Sequence, residues 1–193
     1  MAAEILLTSE TFVKSTTNIS DNLAGKFVLP SIREAQEVNF RGIVGDCLLA
    51  KLKDLVRSDT QTQVRPIDAA ENSHYKDLLD RAQYFLAYQT IVELCNKVSY
   101  KIANGGVIRT TDENEQPVSA DEIDQQKTNY QSKADAHCFQ LQNWILENDD
   151  KFPELRSCDC DKIRANLYSA ATCGIWLGGP RGKILPGGGG CCR

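Results

Sequence analysis

The chain is poor in the residues that most often carry chemistry. Its 193 residues include two histidines, one methionine and two tryptophans. His74 and His137 lie far apart, and neither has a nucleophile at motif spacing, so a half-buried structural role is the simpler expectation for His137. No stretch approaches 18 apolar residues, which excludes a membrane-spanning helix. The start, Met1-Ala-Ala-Glu-Ile-Leu-Leu-Thr8, has no basic region and too short an apolar run for a signal peptide. Cationic excess is lacking as well. A net charge of -4 and a pI near 5.3 argue against a protein whose main task is coating nucleic acid.

Cysteine, by contrast, is plentiful, with eight in the chain. Cys47, Cys95 and Cys138 fall inside helical apolar patterns, where a reduced thiol behaves as a small hydrophobe. Cys158, Cys160, Cys173, Cys191 and Cys192 follow the helical body. They could supply thiolates to zinc, which makes a zinc-binding interaction module the alternative reading. Structural zinc sites show paired knuckles of two to four intervening residues, and Cys158-Asp-Cys160 is too tight for that. Thiols in a reducing compartment fit better, and no metal or other cofactor is expected.

Other motifs fail on inspection. Gly178-Gly-Pro-Arg-Gly-Lys183 approaches a phosphate loop, but Leu177 stands where the first glycine belongs and Ile184 where the Ser or Thr belongs. The terminal Cys191-Cys192 resembles a prenylation signal without any GTPase phosphate loop before it. No constellation supports an enzyme.

Hydrophobic periodicity organises the chain. An extended start leads into a short helix that Thr8 or Ser9 can cap. Pro30 fits the first turn of a next helix carrying Ile32, Ala35, Val38 and Phe40. Gly42 and Gly45 punctuate before an amphipathic helix over 46–56, and 57–72 reads as a loop. A long stripe follows from Ser73: Leu78, Leu79, Ala82, Phe85, Leu86, Ile91, Leu94, Cys95, Val98 and Ile102. Asn104-Gly-Gly106 reads as its C-terminal stop. A polar insertion over 107–118 follows; six carboxylates and no basic residue lie from Asp112 to Asp124, three of them (Asp112, Glu113 and Glu115) within the insertion. Ser119-Ala-Asp-Glu122 is a capping box for a second long helix, which Asn148 to Pro153 ends.

The expected fold is therefore mainly α: a helical bundle built on a long antiparallel helical hairpin (73–150), with a short β-hairpin tongue at 107–118 and an extended C-terminal arm. The helical domain is expected to span 1–155. The arm, 156–193, is glycine-rich and slightly basic, and is expected to be partly flexible in isolation.

Several stretches, taken in order, resemble a known family. They are Asn18-Ile-Ser-Asp-Asn22, Pro30-Ser-Ile-Arg-Glu-Ala-Gln36, Ile43-Val-Gly45 with Leu48-Leu49 and Lys51-Leu-Lys53, Ile102-Ala-Asn-Gly-Gly-Val107, and Asp150-Lys-Phe-Pro-Glu154. Together they resemble the head–tail connector (adaptor) ring proteins of tailed bacteriophages, of the crAss-like phage type. The resemblance covers roughly residues 5 to 155 and omits the cysteine-rich end. It implies a structural virion protein at the head–tail junction, assembled in the host cytoplasm, with no catalytic activity. Its partners would be the portal protein, the next tail or ring protein, and itself in a ring, commonly of twelve copies. Packaged DNA would pass through the channel without sequence-specific binding, and no membrane is involved. By the same analogy the arm would dock on the portal through Ile175, Trp176, Leu177, Arg181, Lys183, Ile184 and Leu185. Ile108, Arg109, Asp112, Glu113 and Glu115 would make the tongue an inter-subunit contact.

The stripe yields a direct test. Phe85→Ala should lower stability by about 3–5 kcal/mol in urea denaturation, as core Phe truncations do. A loss under about 1 kcal/mol would place Phe85 outside the core.

Overall fold

The fold is taken from a computed structural model of the chain. It describes residues 4–17, 19, 23, 25–59, 62–103, 106–109, 120–156, 163 and 165–167. Among these, α1 is Glu10–Thr16, α2 is Gly25–Glu34, α3 is Arg41–Val56, α4 is Ser73–Ser99 and α5 is Ala120–Glu147. Two short strands, β1 (Tyr100–Ala103) and β2 (Gly106–Arg109), lie between the long helices. The architecture is a mainly α helical bundle. No helix among the described residues is long and apolar enough to cross a membrane.

The 27-residue α4 is the hub. Leu78, Leu79, Ala82, Phe85 and Leu86 enter one core cluster with Phe40, Leu48 and Leu52, and with Ala134, Cys138, Leu141 and Ile145 of α5. Ala87 and Ile91 enter a second cluster with Val13 of α1 and Val28 and Ile32 of α2. Much of α4's surface is thus covered, which is why Ala87 and Val92, outside the expected stripe, are also buried. The packing sense of α4 and α5 is read from their contacts. Arg81 lies over Trp144, Tyr84 stacks on His137 and Tyr88 reaches Tyr130. Rising numbers on α4 meet falling numbers on α5, so the two run antiparallel.

Three local expectations change. Pro30 sits inside α2 rather than opening a new helix. The chain then widens into a π-helical segment, Ala35–Phe40. The wider turn shifts the facing residues: Gln36 and Phe40 turn fully inward, and Val38, expected inside, is exposed. The long helix also stops at Ser99, so Ile102 is a strand residue. Ala103 pairs with Gly106 and Tyr100 with Arg109 in an antiparallel ladder. Asn104-Gly105, read above as part of a helix stop, is also the sequence pair most favoured between hairpin strands, and it stands between these two.

Gly45 is the sharpest feature of the backbone. Its φ of 79° and ψ of 169° break α3 into two runs. Only glycine adopts this region without strain. The break frees the Ile43 carbonyl and the Asp46 amide from the helical ladder. A segment beyond α5 takes both: Asn166 N–H donates to Ile43 O (3.0 Å), and Asp46 N–H donates to Ile163 O (2.8 Å). Asp46 Oδ2 accepts from Ile163 N–H (2.9 Å), and Gln142 of α5 donates to Asn166 O (3.0 Å). Leu167 is buried in the main core, as is Phe152, so the core draws on residues past the expected boundary at 155.

The N-terminal stretch is strapped in the same way. Buried Gln36 accepts from Leu7 N–H (2.8 Å) and donates to Ile5 O (3.1 Å), while Gln83 of α4 donates to Leu7 O (3.1 Å). Ser9 caps α1 by accepting from Phe12 N–H (3.1 Å).

Two glycines make a matched pair for experiment. Gly45→Ala should destabilise by about 1–3 kcal/mol, because the side chain forbids its backbone conformation. Gly42 is helical and a methyl there meets nothing within 4 Å. Gly42→Ala should stabilise by roughly 0.5–1 kcal/mol. Equal effects of the two in thermal denaturation would contradict the kink.

Candidate functional site

Among the described residues, the α4–α5 seam carries a surface groove. A shallow groove of about 490 Å³ is lined by Asp77, Asp80, Arg81, Tyr84, His137, Gln140 and Leu141. One helical turn separates Asp77 from Arg81, and Asp80 from Tyr84. These side chains therefore line up along one edge of α4, facing His137 and Gln140 of α5. The His137 ring stacks on Tyr84 (centroids 5.7 Å apart, 17° between planes) and on Tyr88 (5.3 Å, 10°). Phe12 meets Tyr84 edge-on at 5.5 Å, which ties α1 to the same row. Lys133 lies over both Tyr88 (5.7 Å) and Tyr130 (5.3 Å), and Arg81 over Trp144 (5.1 Å). Ring pairs and cations over rings each add on the order of 1 kcal/mol beyond buried area. The row thus clamps the seam on its solvent side, and Tyr84 remains 46% exposed.

The electrostatics fit a packing role. Burial pushes the His137 imidazole below its ordinary pKa, so the neutral ring is the form the stack holds. Burial also raises the Cys95 and Tyr130 values. Burial, and then the hydrogen bond to Glu154, pushes the Tyr75 phenol well above its ordinary range. That bond runs 2.7 Å from the Tyr75 hydroxyl to Glu154 Oε1. It fastens the turn after α5 to the start of α4, beside the contact of Phe152 with Tyr75 and Trp144. Among the described residues, no group of three or more His, Cys, Asp or Glu side chains could hold a metal ion.

Of the residues expected to act, few fall within the described part. Ile108 and Arg109 belong to β2. Asp112, Glu113 and Glu115 lie outside the described residues, as do Ile175, Trp176, Leu177, Arg181, Lys183, Ile184 and Leu185. The five cysteines from Cys158 onward lie outside them too. Cys95 and Cys138 keep their thiols, but Cys47, expected as a reduced core residue, is disulfide-bonded. The groove itself was missed because its members are polar residues on helix edges. Only the i, i+4 repeat of Tyr84 and Tyr88 could have marked the row.

A family model of unknown function, DUF6712, matches residues 40–165, more than half of the chain. The chain belongs to the DUF6712 family. The match opens at Phe40 and closes at Ala165. It takes in the Gly45 kink, both long helices and the start of the strap on that kink. No curated protein and no solved structure matches the chain. The DUF6712 region holds most of the main core cluster, apart from Leu7, Ala35 and Leu167, and takes in Cys158 and Cys160, while α1, α2, Cys173, Cys191 and Cys192 fall outside it.

The His137 stack makes stability depend on pH. Because the folded-state pKa is lowered, the unfolded chain holds the His137 proton more tightly. Stability from this group is complete above its ordinary value of 6.5 and is lost as pH falls below it. Between pH 7 and 5 the wild type should lose more stability in urea melts than His137→Phe, which keeps a stacked ring. Parallel curves would show that the imidazole is not held neutral. Glu37, held low by its Lys53 and Gln36 hydrogen bonds against burial, affects only more acidic conditions.

Proposed function

We propose that this protein is a structural virion component: one subunit of a ring that joins the capsid portal to the tail and extends the DNA channel, without catalytic activity. The observation that carries the reading is where the resembling stretches fall. Pro30–Gln36 holds the internal proline and the buried glutamine that straps the N-terminal stretch. Ile43-Val-Gly45 forms the kink. Ile102 and Ala103 face Val107 and Gly106 across the short ladder. Asp150–Glu154 supplies core residue Phe152 and the carboxylate that binds Tyr75. The resemblance thus sits on residues that set shape, as suits a protein selected for architecture rather than for a reactive site.

A ring subunit needs a stiff body to fix its spacing, and contacts of head-to-tail kind that close. The antiparallel α4–α5 hairpin serves as that body. The tongue at 107–118, with Ile108, Arg109, Asp112, Glu113 and Glu115, lies in sequence between α4 and α5 and serves as the inter-subunit contact. Its carboxylates complement the last part of the arm, 178–193, which carries Arg181, Lys183 and Arg193 and no acidic residue. The arm docks on the portal through Ile175, Trp176, Leu177, Ile184 and Leu185, with Arg181 and Lys183 adding charge. Ordering the arm on a partner costs entropy that these apolar anchors must offset. A net acidic subunit also suits a wall that DNA slides past. The neighbours are the portal, the next tail protein and further copies of this chain, commonly twelve in all.

Deleting residues 170–193 tests the arm while sparing Leu167 and the core. The truncated chain should keep its helical circular dichroism but enter particles, or bind isolated portal rings, at least several-fold less well. Unchanged incorporation would overturn the docking role.

A further inference from the structure

Three large apolar side chains stand exposed on one helical run: Phe27 (41%) and Leu29 (45%) of α2, and Val38 (64%) of the π-helical segment that continues it. The run buries Val28, Ile32 and Ala35 on its other side. The wider π-helical turn brings Phe40 inward and leaves Val38 outward. Lys26, Pro30 and Arg33 are all exposed and follow one another at i, i+4 and i+7. They form a stripe along the outer face of α2, with Phe27 and Leu29 on its flanks. Residues 25–33 include no acid. Arg33 is paired with Glu4, whereas Lys26 lies over the Phe27 ring (5.0 Å) and has no carboxylate partner among the described residues. The α4–α5 groove is opposite in charge. Asp77 and Asp80 stand exposed on its rim, and neither pairs with a cation among the described residues. The one cation that lines it, Arg81, lies over Trp144, and Tyr84 adds a half-exposed ring.

We propose that the outer face of α2 in one copy of this chain docks into the α4–α5 groove of the next copy, with Lys26 against Asp77 and Asp80 and the flanking apolar side chains against Tyr84. This rests on the ring reading and adds a second contact to the tongue. An amphipathic helix laid in a groove is a recurrent mode of recognition. Neither patch complements itself. Two α2 faces brought together would set Lys26 and Arg33 against their own kind, and two grooves would oppose their aspartates. The contact is therefore heterologous, and such contacts propagate from copy to copy until they close. The ten residues of α2 make about 15 Å of helix, so one contact is small, below the roughly 1,200 Å² of a standard interface. Two free copies associate weakly. A closed ring gives every copy two such contacts, and each then forms at high effective concentration.

The test uses the isolated full chain. The mass of the wild type in sedimentation equilibrium should rise with concentration and fall with added salt. Lys26→Glu and Asp80→Lys each reverse one side of the contact. Both positions are exposed, so helical circular dichroism should not change. Each variant alone should self-associate about tenfold more weakly than the wild type. Mixed in equal amounts they should recover association, because each acidic groove then meets a basic α2 and each lysine-bearing groove an acidic one. A wild type that stays monomeric, an effect from only one of the two reversals, or a mixture no stronger than its parts would each overturn the contact. If a variant does not fold, carbodiimide coupling of equal amounts of unlabelled and isotope-labelled wild type decides. A mixed-isotope link between the Lys26 peptide and the peptide holding Asp77 and Asp80 is expected, and its absence overturns the contact. Failure here removes the contact and leaves the chain's place in particles untouched, whereas a chain absent from particles with this contact intact fails only the virion reading.

Discussion

Everything in this fold hangs on the burial of α4 on more than one side. A helix that packs on α5 and α3 with one part of its surface, and on α1 and α2 with another, cannot be moved without disturbing both core clusters. Full burial of a Leu, Ile or Phe contributes about 1.5–3 kcal/mol each. Leu78, Leu79, Phe85, Leu86 and Ile91 are all buried, which makes α4 the main source of favourable burial and fixes where its neighbours can lie. The solvent side of the α4–α5 seam is closed by rings rather than aliphatics, with His137 between the tyrosine faces.

A hub helix leaves the flanking extended segments with backbone groups that helices cannot satisfy. The fold meets this twice with side-chain amides. Gln36 and Gln83 take the Leu7 backbone, and Gln142 takes Asn166. The Gly45 kink exposes two α3 backbone groups for the same purpose. Buried polar groups of this kind are costly when unpaired, so each strap and its partner hold one another in place. The strap also carries the chain back to α3 after α5 has led it away, and it sits beside the disulfide-bonded Cys47.

Much of this was legible from residue pattern. The Ser73 start of α4, the aliphatic stripe through Phe85 and the Ser9 cap are local signals, and local physics decides them. Other parts were not legible, for stated reasons. Val38 looked buried because a 3.6-residue period was assumed, and the π-helical segment changes the period. Asn104-Gly105 supports two readings, a helix stop or a hairpin connection, and the pairing of Tyr100–Ala103 with Gly106–Arg109 on either side favours the second. Leu167 and Ile163 give no periodic signal at all, since a strap is recognised by the backbone groups it meets. The candidate groove is assembled from two helices far apart in sequence, so its members share no motif.

On the proposed reading this DUF6712 chain is a shape-setting protein with a stiff helical body and two straps. The central claim of that reading is position in a particle. Electron cryomicroscopy of purified phage particles carrying this chain tests that most directly. The account predicts a closed ring at the head–tail junction, with each repeat of its density fitted by the α4–α5 body. Absence of the chain from particles, or its location elsewhere in them, would contradict it.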